Sequence, residues 1–173
     1  MFKTTANKIT MLRIILIPVF LVLAYMGSMI PALIVYVVAC LTDFVDGYIA
    51  RHYNQISNFG KFMDPLADKM LVLAAMCFFI ENGQMAGWAV AVVLFREFAV
   101  SGMRLLAVEQ GKVIAAGMSG KVKTFATMIC LIMMLMVNIN IINLISTIII
   151  VGTTVYSGVE YFYVNREVFK EAN

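Results

Sequence analysis

Six apolar runs, each about long enough to cross a bilayer, constrain the fold of this 173-residue chain more than any other feature. A membrane-spanning helix needs about 20 mainly apolar residues. The composition agrees, because 62% of the residues are hydrophobic, against about 45–50% in soluble domains. Turn signals separate the runs at residues 10–27, 31–52, 62–81, 85–109, 119–138 and 142–164. The sequence therefore predicts an all-α integral membrane protein with six transmembrane helices, as one domain over residues 1–173.

A basic N-terminal segment precedes the first run. Residues 2–9 include Lys3 and Lys8, and we expect them to form a short amphipathic helix on the membrane surface. The chain shows no signal-peptide cleavage pattern, and the first apolar run has full spanning length. The sequence therefore predicts that the first helix is retained as a membrane span.

The distribution of cations predicts the orientation of the spans. The chain contains 13 lysines and arginines, and with six spans all of them fall on the side of the termini or in the adjacent helix halves. The loops of the opposite side contain Glu81 but no cation. Because cytoplasmic loops carry an excess of lysine and arginine, we expect both termini in the cytoplasm.

Two pairs of aspartates lie beside or inside the second and third runs. Asp43 and Asp46 are three residues apart, and Asp64 and Asp68 are four apart. Residues at these spacings share a helix face, and carboxylates near hydrocarbon persist only with partners. The two pairs can hold one or two hard divalent cations through oxygen ligands. The pattern therefore predicts a metal site in the cytoplasmic half of the membrane.

Basic residues accompany these carboxylates on the cytoplasmic side. They are Arg51, Lys61, Arg96, Arg104, Lys121 and Lys123. Acidic groups for metal together with basic groups for phosphate suit phosphoryl transfer, in which the protein mainly positions its substrates and stabilises charge. We expect the metals to bind a pyrophosphate and the cations to bind a second, anionic substrate.

The complete motif resembles the signature of a known family, the CDP-alcohol phosphatidyltransferases. Every defined position of that signature is present in Asp43-x2-Asp46-Gly47-x2-Ala50-Arg51-x8-Gly60-x3-Asp64-x3-Asp68. Within the family, the chain is most similar to the bacterial phosphatidylglycerophosphate synthases. The segments that carry this narrower resemblance are Asn7-x2-Thr10-x2-Arg13, Arg96-Glu97-Phe98 to Gly102-x-Arg104, and Gly120-Lys121-x-Lys123-Thr124.

The resemblance implies a reaction and a metal. The phosphatidyl group of CDP-diacylglycerol would pass to sn-glycerol 3-phosphate, giving phosphatidylglycerophosphate and CMP. The implied metal is Mg²⁺ or Mn²⁺, which we expect as two ions on Asp43, Asp46, Asp64 and Asp68. Asp68 is also the implied general base for the acceptor hydroxyl. A homodimer in the bacterial cytoplasmic membrane is implied as well, with its active site facing the cytoplasm and no nucleic-acid partner.

Substrate-binding residues are expected at two places. Those for CDP-diacylglycerol, which the resemblance implies, are Asn7, Thr10, Arg13, Gly47, Ala50, Arg51 and Gly60. Those for the phosphate of glycerol 3-phosphate are Arg104, Lys121 and Lys123, near the cytoplasmic ends of the fourth and fifth helices. Because Lys121 and Lys123 are two residues apart, both cannot point straight into one site.

Several of these residues also have structural interpretations. Thr10 is a candidate N-cap of the first helix, with Arg13 as a juxtamembrane anchor. The three basic residues near the ends of the fourth and fifth helices could instead contact anionic lipids. Arg96 or Glu97 could form an ion pair within the bundle. The sequence leaves these alternatives open.

Two other functions fit part of the pattern. An enzyme of the same family with another acceptor, such as inositol phosphate, serine or phosphatidylglycerol, would carry the same signature. A divalent-cation transporter would use a ring of carboxylates, but its path should have polar groups in the outer half of the membrane too. Here the outer half of every run is apolar, which favours a pocket open to one side.

Overall fold

Helices make up almost all of the described chain. The computed structural model describes the backbone of residues 5–52, 58–111, 114 and 117–170, and the side chains of residues 9–42, 63, 66–111, 114 and 117–168. This part contains six long helices, one short helix and no strand. They are α1 (Thr5–Tyr25), α2 (Met29–His52), α3 (Asn58–Glu81), α4 (Gly87–Glu109), α5 (Met118–Met136), α6 (Asn140–Val164) and α7 (Glu167–Lys170).

The six predicted runs are confirmed as helices, with ends that differ from the prediction by five residues at most. The prediction that residues 2–9 form a separate surface helix is wrong for residues 5–9, because these residues form the start of α1. Residues 1–4 lie outside the described chain. The short helix α7, which follows a turn after α6, was not predicted.

Glycines end the helices at two of the predicted turns. Gly27 and Gly83 have φ angles of 75° and 68°, a left-handed conformation that glycine adopts without the steric cost of a Cβ. At the end of α3, the Gly83 N–H donates to the Ile80 carbonyl at 2.9 Å and the Gln84 N–H donates to the Phe79 carbonyl at 2.8 Å. These hydrogen bonds satisfy carbonyls that the helix end leaves without partners, and they end α3 at the predicted turn.

The main apolar core joins α1, α2 and α3 and extends to α5, α6 and the first half of α4. Phe20 of α1 and Tyr36 of α2 are fully buried, and their ring centroids are 5.4 Å apart. Phe79, Leu131 and Ile150 complete the buried cluster from the other helices. Full burial of each such side chain stabilises the fold by about 1.5–3 kcal/mol where water is the alternative.

Helix α4 is attached differently. In the described part it packs mainly against α6, where Val100, Met103 and Tyr161 form a second apolar cluster. Its contact with α3 is slight, and it has no close backbone contact with α5. This arrangement leaves a space between α3, α4 and α5 that side chains must fill or line.

The described surface is strongly apolar. Two helices, α5 and α6, are long and apolar enough to cross a bilayer, and shorter apolar stretches cover Ile9–Tyr25 and Met29–Thr42. Only 39% of the most apolar stretch of α5 and of α6 is buried, whereas a core helix of a soluble protein would be mostly covered. Large exposed apolar surfaces mark contact with lipid or with another protein, so the chain is membrane-associated.

We expect Gly158→Val to loosen the contact between α4 and α6. A Cβ at Gly158 would lie 3.2 Å from Cγ of Arg96, so a larger side chain must displace the Arg96 side chain that packs between the two helices. Overpacking of this kind lowers the free energy of unfolding by about 1–3 kcal/mol. Thermal unfolding in detergent measures this, with Gly152→Val as the control because a Cβ at Gly152 meets nothing within 4 Å. Equal unfolding temperatures of the two variants would contradict the close approach.

Candidate active site

The fold brings the two halves of the aspartate motif to neighbouring helix ends. Asp43 and Asp46 lie in the last turns of α2, and Asp64 and Asp68 lie in the first turns of α3. These helices are in contact, and only five residues connect them. Such a link spans at most about 20 Å. The backbone is therefore compatible with one shared site.

The described side chains include only part of the predicted site. Among the metal ligands, the Asp68 side chain is described, whereas those of Asp43, Asp46 and Asp64 lie outside the described residues. Within the described side chains, no group of three His, Cys, Asp or Glu residues could hold a metal. The predicted donor-binding residues whose side chains also lie outside are Asn7, Gly47, Ala50, Arg51 and Gly60.

Asp68 lines a cavity of about 200 Å³ between α3, α4 and α5. Most of the wall is apolar, formed by residues such as Leu73 and Val93. The polar part combines the Asp68 carboxylate with charged and hydroxyl side chains from all three helices. These are Lys69, Glu97, Lys123, Thr124 and Thr127. The cavity can therefore receive a ligand that has both polar and apolar portions.

A cluster of charges surrounds Glu97 at the wall of this cavity. Oε1 of Glu97 accepts hydrogen bonds from Nζ of Lys123 at 2.8 Å and from Nη1 of Arg96 at 3.0 Å. Nζ of Lys69 lies 3.5 Å from Oε2 of Glu97 and donates to Oγ of Ser101 at 3.0 Å. We call these five residues the Glu97 cluster. Three cations share one carboxylate, and the excess positive charge attracts an anion.

Lys123 and Lys121 point in different directions, as their spacing predicted. The Lys123 side chain is 7% exposed, whereas Lys121 is an exposed residue. Positions two apart on a helix differ by about 200° in direction, because each residue turns by about 100°. Only Lys123 of the two lines the cavity that holds Asp68.

Arg104 lies farther along α4 and contacts α6. Its Nε donates to the Tyr161 hydroxyl at 3.1 Å, and its guanidinium carbon lies 5.6 Å from the centroid of the Tyr161 ring. Arg104 does not line the described cavity. Seven helical residues separate it from Glu97, a rise of about 10 Å. Its expected role at the acceptor site stays a prediction.

The N-terminal motif is packed into the bundle. Thr10 and Arg13 are both fully buried, and Nε of Arg13 lies 3.5 Å from the Thr42 hydroxyl, next to Asp43 in the sequence. The N-cap interpretation of Thr10 is wrong, because α1 begins at Thr5 and Thr10 lies inside it. Arg13 therefore connects α1 to the segment of α2 that carries the first aspartate pair.

Sequence reasoning missed two polar residues of the cluster, Lys69 and Ser101. Lys69 directly follows Asp68, so its proximity to the motif was visible. Its partners lie 28 and 32 residues later on α4, and no spacing rule for a single helix links them. The ion pair expected of Arg96 or Glu97 is confirmed, since Glu97 contacts three cations.

Comparison with known proteins places the chain in a family. The sequence model of the CDP-alcohol phosphatidyltransferases matches residues 3–157, which include both aspartate pairs. The chain belongs to this family. Relatives named CDP-diacylglycerol--glycerol-3-phosphate 3-phosphatidyltransferase include one from Bacillus subtilis (strain 168), 40% identical over 96% of this chain and 97% of the relative. A second, from Rickettsia felis, is 32% identical over 96% of this chain and 98% of the relative.

A third relative with the same name extends this similarity to an enteric bacterium. The Salmonella paratyphi A protein is 40% identical over 132 residues, which are 71% of this chain and 71% of the relative. Family membership confirms the resemblance on which the sequence-based prediction of the site depended.

We expect Tyr161→Phe to lower stability modestly. The substitution removes the hydroxyl that accepts the Arg104 hydrogen bond but keeps the ring beneath the guanidinium. A lost hydrogen bond of this kind lowers the free energy of unfolding by about 0.5–1.5 kcal/mol. Unfolding in detergent measures the change, with Tyr163→Phe as a control because that exposed ring contacts Arg166 instead. No difference between the two variants would show that the hydrogen bond contributes nothing to stability.

Proposed function

We propose that this protein transfers the phosphatidyl group of CDP-diacylglycerol to sn-glycerol 3-phosphate and releases CMP, a step of phospholipid biosynthesis. The observation that carries the proposal is the 40% identity to the Bacillus subtilis enzyme over nearly the whole length of both chains. The described cavity supports the proposal, because Asp68 lines it together with Lys69, Glu97 and Lys123. These last three belong to a cluster with excess positive charge. An anionic acceptor with a reactive hydroxyl suits that combination.

The chemistry of the proposed step is a displacement at phosphorus. The hydroxyl oxygen of glycerol 3-phosphate attacks the phosphatidyl phosphorus, and its proton passes to the Asp68 carboxylate. As the new P–O bond forms, the bond between that phosphorus and the CMP oxygen breaks. The protein contributes mainly by holding the two substrates in line and by stabilising their charges.

The donor set of the aspartate motif fits a divalent metal. Enzymes of this family generally depend on such ions, and four carboxylates offer only oxygen ligands, which Mg²⁺ and Mn²⁺ prefer. We propose that Asp43, Asp46, Asp64 and Asp68 hold two of these ions. The bound metal would neutralise the pyrophosphate of CDP-diacylglycerol. Asp68 is described at the cavity wall, where it can serve both as ligand and as base.

Two sets of residues would bind the substrates. The nucleotide-lipid donor would contact Arg13 and Thr10 of α1, together with the residues of the signature, Asn7, Gly47, Ala50, Arg51 and Gly60. The acceptor phosphate would contact Lys123 inside the cavity. Arg104 and Lys121 would guide the anion from farther out, since neither lines the cavity.

The membrane arrangement follows from the same proposal. Six helices would span the bilayer with both termini in the cytoplasm, which would place the aspartates in the cytoplasmic half of the membrane and Glu97 near the middle of α4. Glycerol 3-phosphate and CMP are water-soluble, so this orientation lets them enter and leave from the cytoplasm. The protein would act in the bacterial cytoplasmic membrane, as a homodimer.

An assay in detergent micelles tests the function. We expect CMP release from CDP-diacylglycerol with glycerol 3-phosphate and Mg²⁺ or Mn²⁺, and none when EDTA removes the metal. Parallel reactions contain inositol phosphate, serine or no acceptor. Release only with inositol phosphate or serine would keep the family and replace the acceptor. If folded protein releases no CMP with any acceptor, the proposal is overturned. Metal flux into vesicles would then be the next measurement.

We expect Asp68→Asn to lower kcat by about 100-fold or more, because an amide cannot accept the hydroxyl proton. The side chain keeps its size, so the purified variant should unfold at nearly the wild-type temperature. Glu109→Gln, an exposed substitution on α4, serves as the control and should retain full activity. A folded Asp68→Asn protein with normal turnover would remove Asp68 from the mechanism.

A further inference from the structure

We infer that Lys69 binds the acceptor phosphate together with Lys123, and that Glu97 is the positioning residue that holds their two ammonium groups side by side. The inference rests on the proposed function and adds two residues that the family signature does not contain. It is carried by the contacts of the Glu97 cluster and by the cavity that three of its members share with Asp68.

The geometry brings together two cations, one from each of two helices. Without the carboxylate between them, these cations would repel each other. Lys69 comes from α3 and Lys123 from α5, and their Nζ atoms contact different oxygens of one carboxylate, at 3.5 and 2.8 Å. Both ammonium groups are thereby held within reach of a single phosphate group. A phosphate has several acceptor oxygens, so two adjacent cations bind it better than either one alone.

Burial gives the two lysines different parts in this site. The Lys123 side chain is 7% exposed, whereas the Lys69 side chain is 37% exposed. An ammonium group has three N–H donors, and in the described surroundings those of Lys69 face Ser101 and Glu97, which leaves one for a ligand. Lys69 therefore lies where an anion arrives, and Lys123 lies deeper in the wall.

The charge of the cluster argues for a ligand rather than for a purely structural ion pair. One carboxylate would be sufficient for one buried cation, yet Glu97 contacts Lys69, Arg96 and Lys123. Lys69, Arg96 and Lys123 exceed the carboxylates of Glu97 and Asp68 by one positive charge, which favours an anionic ligand. Asp68 lines the same cavity, so a short molecule with a phosphate at one end can present a hydroxyl to it at the other. This is the chemistry of a small phosphorylated polyol.

Steady-state kinetics of the full-length protein in micelles tests the inference. The variants are Lys69→Gln, Glu97→Gln and the double variant, with Arg166→Gln and Glu109→Gln as controls for the loss of one charge elsewhere. We expect each single variant to raise the KM for glycerol 3-phosphate about tenfold, the effect of losing one hydrogen bond to a charged group. The KM for CDP-diacylglycerol should stay within about twofold, because the proposed donor contacts are Thr10, Arg13 and the signature residues rather than Lys69 or Glu97.

The double variant separates positioning from independent effects. Because Glu97 holds both Lys69 and Lys123, the effect of Glu97→Gln should shrink once Lys69 is absent, and the double variant should raise the KM by clearly less than the product of the two single effects. A product of the two single effects, about 100-fold, would mean that the residues act separately and would overturn the inference. A lower kcat with unchanged KM values, or a change confined to the nucleotide lipid, would also overturn it.

Two further outcomes keep this test distinct from that of the proposed function. Wild-type protein that releases no CMP with glycerol 3-phosphate would overturn the proposed function, and this inference with it. Active wild-type protein with both single variants unchanged would overturn this inference alone. If Glu97→Gln fails to fold, Lys69→Gln tests the phosphate contact by itself. Lys69 is partly exposed and Lys123 keeps its contact with Glu97, so this variant leaves no buried charge without a partner.

Discussion

A charge among apolar helices is stable only when a partner reaches it, and this requirement organises the described space between α3, α4 and α5. The buried Lys123 ammonium contacts Glu97, and Glu97 reaches Arg96 and Lys69. In the described part, α4 and α5 have no close backbone contact, and side chains bridge them: the Lys123–Glu97 ion pair, and Val90 and Val93 of α4, which belong to the same apolar cluster as Leu131 of α5. Polar contacts and apolar packing together therefore set the separation of the three helices. The cavity that holds Asp68 lies in the space that results.

Much of the fold follows from hydropathy and turn chemistry. Each long apolar run became a helix, and Gly27 and Gly83 end helices where the sequence predicted turns. The start of α1 was missed because the polar residues before Thr10 resemble a cap and a surface segment, while the backbone simply continues the helix. The four-residue α7 was missed because so short a helix has no periodicity to detect.

Spacing along a single helix correctly separated Lys121 from Lys123. The shared helix face of each aspartate pair, which rests on the same rule, stays a prediction. The spacing rule could not show that Lys69 meets Glu97, because this contact depends on how α3 and α4 are rotated against each other. The Arg104 contact with Tyr161, 57 residues away, was hidden for the same reason. Contacts between helices are set by packing, which the order of residues along one helix does not contain.

The rim of the cavity has a kinetic consequence. Leu66, Met70 and Phe98 line it and are 45%, 50% and 72% exposed, so its opening includes an exposed apolar face of the bundle. A lipid donor would then arrive by diffusion in two dimensions, and its supply would depend on its mole fraction in the bilayer. The water-soluble acceptor is supplied according to its molarity. Inert lipid would slow the reaction by surface dilution, so the turnover of such an enzyme reports the composition of the membrane around it.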